Sequence, residues 1–174
     1  GLGDVYKRQS NYRENYVEVP DNNEPISVTP LYTDAGFWKV FTFRFLHGKP
    51  FTQADIDAKR REVVLPVSVA RKLFATDDVV GRRFNMDAQE YRVCGVVEDV
   101  SAATPSSVGD MWLPITLNSW VTSDATGKLV GSVGIYMTAP DAEDKEALKE
   151  EVREVFRKLN LASDKYMNDL MGQP

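Results

Sequence analysis

Between Phe37 and Ile115 the chain alternates short apolar runs with turn signals, and no run in it is longer than a strand. The stretch opens with F-W-K-V-F-T-F-R-F-L-H-G-K-P-F-T, Phe37 to Thr52. It continues with E-V-V-L-P-V-S-V-A-R-K-L-F (Glu62 to Phe74), V-V-G-R-R-F (Val79 to Phe84) and Y-R-V-C-G-V-V-E-D-V (Tyr91 to Val100). It closes with D-M-W-L-P-I, Asp110 to Ile115. Gly and Pro punctuate the whole stretch, so strand-sized and short helical pieces follow one another. An α+β fold is the result.

Element by element, Asn15 to Val19 and Ile26 to Thr29 alternate like short strands. Asp34 is placed to cap a helix ending near Phe41, with Phe37, Val40 and Phe41 on one face. Gly48-Lys49-Pro50 is a turn. Thr52 and Asp55 form a capping box for a second short helix. Val63 to Leu65 is a buried strand ended by Pro66, and Ser68 to Phe74 a helix with Ala70, Leu73 and Phe74 inward. Gly81 marks a turn. Phe84 to Met86 pairs with Glu90 to Val100 around a polar turn at Asp87, Ala88 and Gln89. Val93 to Val97 is apolar throughout, so both its faces are covered.

Met111 to Ile115 is a further strand, 119–128 a loop, and Val133 to Thr138 another strand. Pro140-Asp141 opens the longest helix, Ala142 to Leu159. Its stripe is Leu148, Val152, Val155, Phe156 and Leu159, and Glu154 with Lys158 is an i, i+4 pair. Tyr166 to Leu170 reads as a terminal strand.

The ordered set resembles the MacB-like periplasmic core domain of bacterial ABC-transporter permeases. An aromatic helix (Phe37, Trp38, Phe41) leads to the turn Phe45, Leu46, Gly48, Pro50, Phe51. A strand and the helix Ala70, Arg71, Leu73, Phe74 follow, then the turn Val80, Gly81, Arg82. The strand Tyr91, Val93, Gly95, Val96, Val97, Asp99, Val100 completes the pattern. The resemblance covers about half of the chain by motif, and the C-terminal strand and helix by position. It implies a two-lobed core: a small mixed α/β subdomain (36–117) inserted into a larger β-α lobe (10–35 and 118–174). Residues 1–9 read unlike the rest, as a non-native scar.

The resemblance also implies a role. Such a domain sits between the first two transmembrane helices of a permease, on the periplasmic face of the bacterial inner membrane. It relays ATP hydrolysis by a separate cytoplasmic ABC ATPase into export or mechanotransmission. Implied partners are that ATPase, reached through transmembrane helices absent from this sequence, and a second permease copy. A periplasmic adaptor, a peptide or a lipoprotein substrate completes the set. The sequence is then a fragment whose missing flanks are the membrane helices. A freestanding periplasmic peptide- or lipid-binding module is the alternative.

Composition bounds these readings. A net charge of −5 and a pI near 5.0 leave no basic stripe to neutralise phosphates, so nucleic acid is not an expected partner. No apolar run approaches the roughly 18 residues that span a bilayer. No G-x-x-x-x-G-K-S/T phosphate loop occurs.

Neither catalytic, cofactor nor metal residues are expected. His47, the only histidine, sits beside Gly48 in a predicted turn and reads as solvated. Cys94, the only cysteine, lies in an apolar strand and reads as a buried structural thiol. Glu98 and Asp99 are adjacent and point to opposite faces of a strand, so they form no carboxylate pair. Asp99 is read as structural, placed to cap a turn or to accept backbone N–H bonds. The charges of the last helix read as a solvated face. Lys59-Arg60-Arg61, Arg71-Lys72 and Arg82-Arg83 are basic runs with no assigned role. Trp38 and Trp112 fit packing, whereas Trp120, in a polar loop, is the candidate partner contact.

Overall fold

A computed structural model describes residues 5–10, 15–19, 22–100, 109–118, 134–139 and 141–158. Their strands are β1 (Val5–Ser10), β2 (Asn15–Val19), β3 (Asn22–Val28), β4 (Pro30–Thr33), β5 (Phe45–Gly48) and β6 (Glu62–Pro66). β7 (Arg83–Met86), β8 (Gln89–Val97), β9 (Met111–Pro114) and β10 (Gly134–Met137) complete them. The helices are α1 (Phe37–Val40), α2 (Gln53–Asp57), α3 (Val67–Phe74) and α4 (Ala142–Lys158), with a 3-10 turn at Ile115–Leu117. The mixed α and β architecture expected from the sequence is what forms.

The ten described strands make one sheet in the order β10-β1-β4-β9-β6-β8-β7-β2-β3, with β5 pairing β8 off this path. β6 and β8 run parallel at its centre, and all five residues of β6 are buried. A continuous apolar strand is what burial on both faces requires. Trp112 of β9, opposite Val64 of β6, is fully buried.

Local chemistry sets the elements. The Asp34 carboxylate accepts the Phe37 N–H at 3.2 Å and so starts α1, although Gly36 holds the cap position itself. At α2 the capping box is complete: Thr52 Oγ1 accepts from Asp55 N at 3.3 Å, and Asp55 Oδ2 accepts from Thr52 N at 2.8 Å. The β7–β8 turn has two residues, not three, because Gln89 already pairs with Met86. Asp87 and Ala88 have φ of +51° and +58°, the type I′ pattern that matches strand twist.

Other expectations are corrected. Phe45–Gly48 extends into a strand, because its backbone takes the edge of β8 that β7 leaves open. Pro30–Thr33 forms β4, parallel to β9 with Leu31 opposite Trp112. β2 and β4 hydrogen-bond directly to β7 and β9. Their alternating or continuous apolar residues find cover there.

The chain divides into two compact units, 5–136 and 1–4 with 137–174. α4 belongs to the second. Asp141 Oδ1 accepts the Asp144 N–H at 2.8 Å and caps it. Glu154 pairs with Arg157 at 3.2 Å, and the side chain of Lys158, its expected partner, lies outside the described residues. Leu148 and Val152 of the expected stripe are half-buried and Val155 is 55% exposed, and the side chain of Phe156 lies outside the described residues. Leu159, the loop 119–128 and the strand expected at Tyr166 to Leu170 lie outside the described residues.

Candidate functional site

Two glycines let β5 cross close to β8. Gly48 faces Gly95 in the register. A Cβ on Gly48 would lie 2.2 Å from the Cys94 carbonyl oxygen, and one on Gly95 would lie 2.7 Å from the Phe45 ring. Lys49 N–H donates to that same Cys94 carbonyl at 3.1 Å. Beneath the crossing, Trp38 packs against Phe43, Phe51 and Trp112 with ring centroids 5.2, 5.3 and 6.0 Å away. Trp38 and Trp112 are therefore packing residues, as read from the sequence.

His47 belongs to β5, half-exposed, rather than to a turn. Its Nε2 lies 3.8 Å from Asp77 Oδ1. The other oxygen of Asp77 takes Arg71 at 2.5 Å, and that hydrogen bond holds the Asp77 carboxyl below the usual range. The arrangement ties β5 to α3 through the loop that follows it.

Cys94 donates its thiol to the Val63 carbonyl at 3.3 Å. Burial pushes the thiol up to about 12, and Glu62 adds to this while Arg92 opposes it. A thiol in that state is a poor nucleophile at neutral pH.

The adjacent acids of the β8 end separate as the alternation requires. Glu98 pairs with Arg44 at 2.7 Å, whereas Asp99 Oδ1 accepts the Ser68 N–H at 3.0 Å, in the first turn of α3. Arg92 donates to Glu62 Oε1 through Nε at 3.1 Å and Nη2 at 2.7 Å. This pair escapes a sequence reading, because its members are 30 residues apart and meet only through the β6–β8 register.

Among the described residues no group of three or more His, Cys, Asp and Glu is arranged to hold a metal ion. No described helix is long and apolar enough to cross a membrane. Trp120 lies outside the described residues. What the geometry does display is a continuous sheet with a close crossing of β5 over β8.

A family model, the MacB-like periplasmic core domain, matches residues 5–155. The chain belongs to this family. It is a MacB-like periplasmic core domain of an ABC permease, and its motifs from Phe37 to Pro114 occupy the central strands and helices of the sheet. The macrolide export ATP-binding/permease protein MacB of Shigella dysenteriae is 29% identical over 100 residues, covering 56% of this chain. The chain spans only 15% of the length of that protein.

Solved structures agree on the fold. The extracellular domain of the ABC-type transporter YknZ from Gram-positive bacteria aligns with a TM-score of 0.70 and 16% identity, covering 94% of this chain and 79% of that one. The periplasmic region of MacB from Actinobacillus actinomycetemcomitans gives a TM-score of 0.65 and 18% identity, covering 88% and 67%.

Proposed function

We propose that this MacB-like domain couples ATP hydrolysis by a cytoplasmic ABC ATPase to export or to force transmission across the envelope, with no catalysis of its own. The observation that carries the reading is the placement of β10 and of β1, whose residues 5–9 read from the sequence as a scar yet fall within the matched stretch 5–155 and belong to a strand paired with β4. These first and last strands of the 5–136 unit are hydrogen-bonded neighbours at one edge of the sheet. In a permease anchored in the bacterial inner membrane, both flanks of the unit then act on one edge. The strand ladder carries a displacement from there to β3 at the far edge. Close-packed elements shift as units and do not deform continuously, which suits a relay.

The partners in this reading are the ATPase, a second permease copy, and a periplasmic adaptor, peptide or lipoprotein, with Trp120 as a contact residue. The test uses the intact permease reconstituted with its ATPase. Gly48→Val, which forces β5 away from β8, should abolish transport or mechanical output while ATP hydrolysis continues. Unchanged output from a variant shown to have lost the β5–β8 pairing would overturn the reading.

A further inference from the structure

The two ends of the sheet are finished differently. β3, at one end, carries Glu24 and Pro25, both exposed, and a register irregularity against β2. A charge, a proline and a bulge each discourage another strand from adding to an edge. β10 stands at the other end among the described strands. The sequence between Lys128 and Pro140 contains neither a charge nor a proline.

All four residues of β10 are exposed, whereas β4, β6 and β9 are buried at every position. Ile135 is 57% exposed, Tyr136 36% and Met137 38%. Successive side chains of a strand point to opposite faces, so β10 presents apolar surface on both. A strand that alternates apolar with polar would cover only one of them. The strand that fits is apolar at successive positions, and β10 is itself a strand of that kind.

Its geometry is self-complementary as well. Directly opposed residues of an antiparallel pair put their side chains on the same face. A two-fold axis perpendicular to the sheet preserves the faces, so β10 opposes its copy only with one residue lying on the axis. With Tyr136 there, Tyr136 meets its own copy and Ile135 meets Met137 of the second copy. The three exposed apolar side chains then face one another, and no like charges are opposed. Ile135 on the axis would leave Tyr136 opposite Gly134.

We propose that β10 is a docking edge for a second copy of this chain, which adds its own β10 antiparallel and joins two sheets into one. A single strand pair buries far less than the roughly 1,000 Å² of a stable interface, so the isolated chains associate weakly and reversibly. The proposal takes the second copy from the reading above and rests on that reading for nothing else. Pairing at this edge does not require that the domain transmit force.

The test is disulfide capture of the purified full chain in a Cys94→Ala background. Cβ atoms of a directly opposed pair lie within disulfide reach. Tyr136→Cys should form a cross-linked dimer at least about tenfold faster than Leu46→Cys, an exposed position on β5. Adding Ile135→Lys, which sets an ammonium against Met137 of the second copy, should remove that excess. Thermal melts check that each variant is folded, and Cys94 stays in place if its replacement unfolds the chain. In parallel the parent chain is titrated with an alternating valine–threonine peptide. Equal cross-linking of Tyr136→Cys and Leu46→Cys, an excess that survives Ile135→Lys, or peptide binding without self-cross-linking would each overturn the proposal. None of these outcomes touches ATP-coupled output, which Gly48→Val reads separately.

Discussion

The carboxylate of Asp99 accepts the backbone N–H of Ser68 at 3.0 Å, across 31 residues of sequence. Pro66 holds the cap position of α3 and supplies no side-chain acceptor, so an acid at the end of β8 does the work from outside the helix. Loss of a capping acceptor costs about 1 kcal/mol. Asp99→Ala should therefore lower the melting temperature by roughly 3 °C, while Asp99→Asn keeps most of the stability. Equal melting of Asp99→Ala and the parent chain would show that the bond contributes nothing.

Gly48 and Gly81 both have positive φ, +67° and +89°, yet they differ in what surrounds them. A Cβ at Gly81 meets nothing within 4 Å, whereas one at Gly48 strikes the Cys94 carbonyl oxygen. Gly81→Ala should cost only the left-handed strain, roughly 1–2 kcal/mol. Gly48→Ala adds displacement of β5 from β8, so its urea midpoint should fall further. Similar midpoints for the two variants would contradict the close crossing.

What could be read in advance were interactions closed within a few residues. The Thr52–Asp55 capping box, the Asp34 acceptor and the Gly81 turn depend on nearby chain, and each is present. Lateral partners were not legible. Leu31 meets Trp112 and Glu62 meets Arg92 only because the sheet order brings their strands together. Neither Pro30–Thr33 nor Phe45–Gly48 alternates strongly enough alone to mark a strand, and both are strands because a neighbouring edge needs a partner.

Ala88 occupies the second central position of the β7–β8 turn with φ +58°. A side chain there carries left-handed strain, which glycine relieves at some cost in unfolded-state entropy. Ala88→Gly should stabilise the chain by roughly 0.5–1 kcal/mol in chemical denaturation. Asp87 should be left in place, because its carboxylate takes the Asn15 side-chain amide and ties the turn to β2. A destabilised Ala88→Gly variant would place this turn in a different conformation.

Burial pushes the Cys94 thiol up from 9.0 to about 12, with a direct consequence for alkaline stability. Between those two values the unfolded chain has released the thiol proton and the folded chain has kept it. The unfolded state then binds fewer protons, so stability falls as pH rises, by at most about 1.4 kcal/mol per pH unit from this group. Below pH 9 the contribution is fully present. Tyr32 and Tyr91 are also raised by burial and add to the decline with the same sign. Cys94→Ala should therefore flatten, not abolish, the loss of stability above pH 9, read from urea unfolding at successive pH values. The same burial should make the native thiol slow towards an aromatic disulfide reagent at pH 8, and unfolding in denaturant should release it. Rapid labelling of the folded chain, or an unchanged alkaline slope in Cys94→Ala, would mean that the thiol is open to solvent and ionises in the native state.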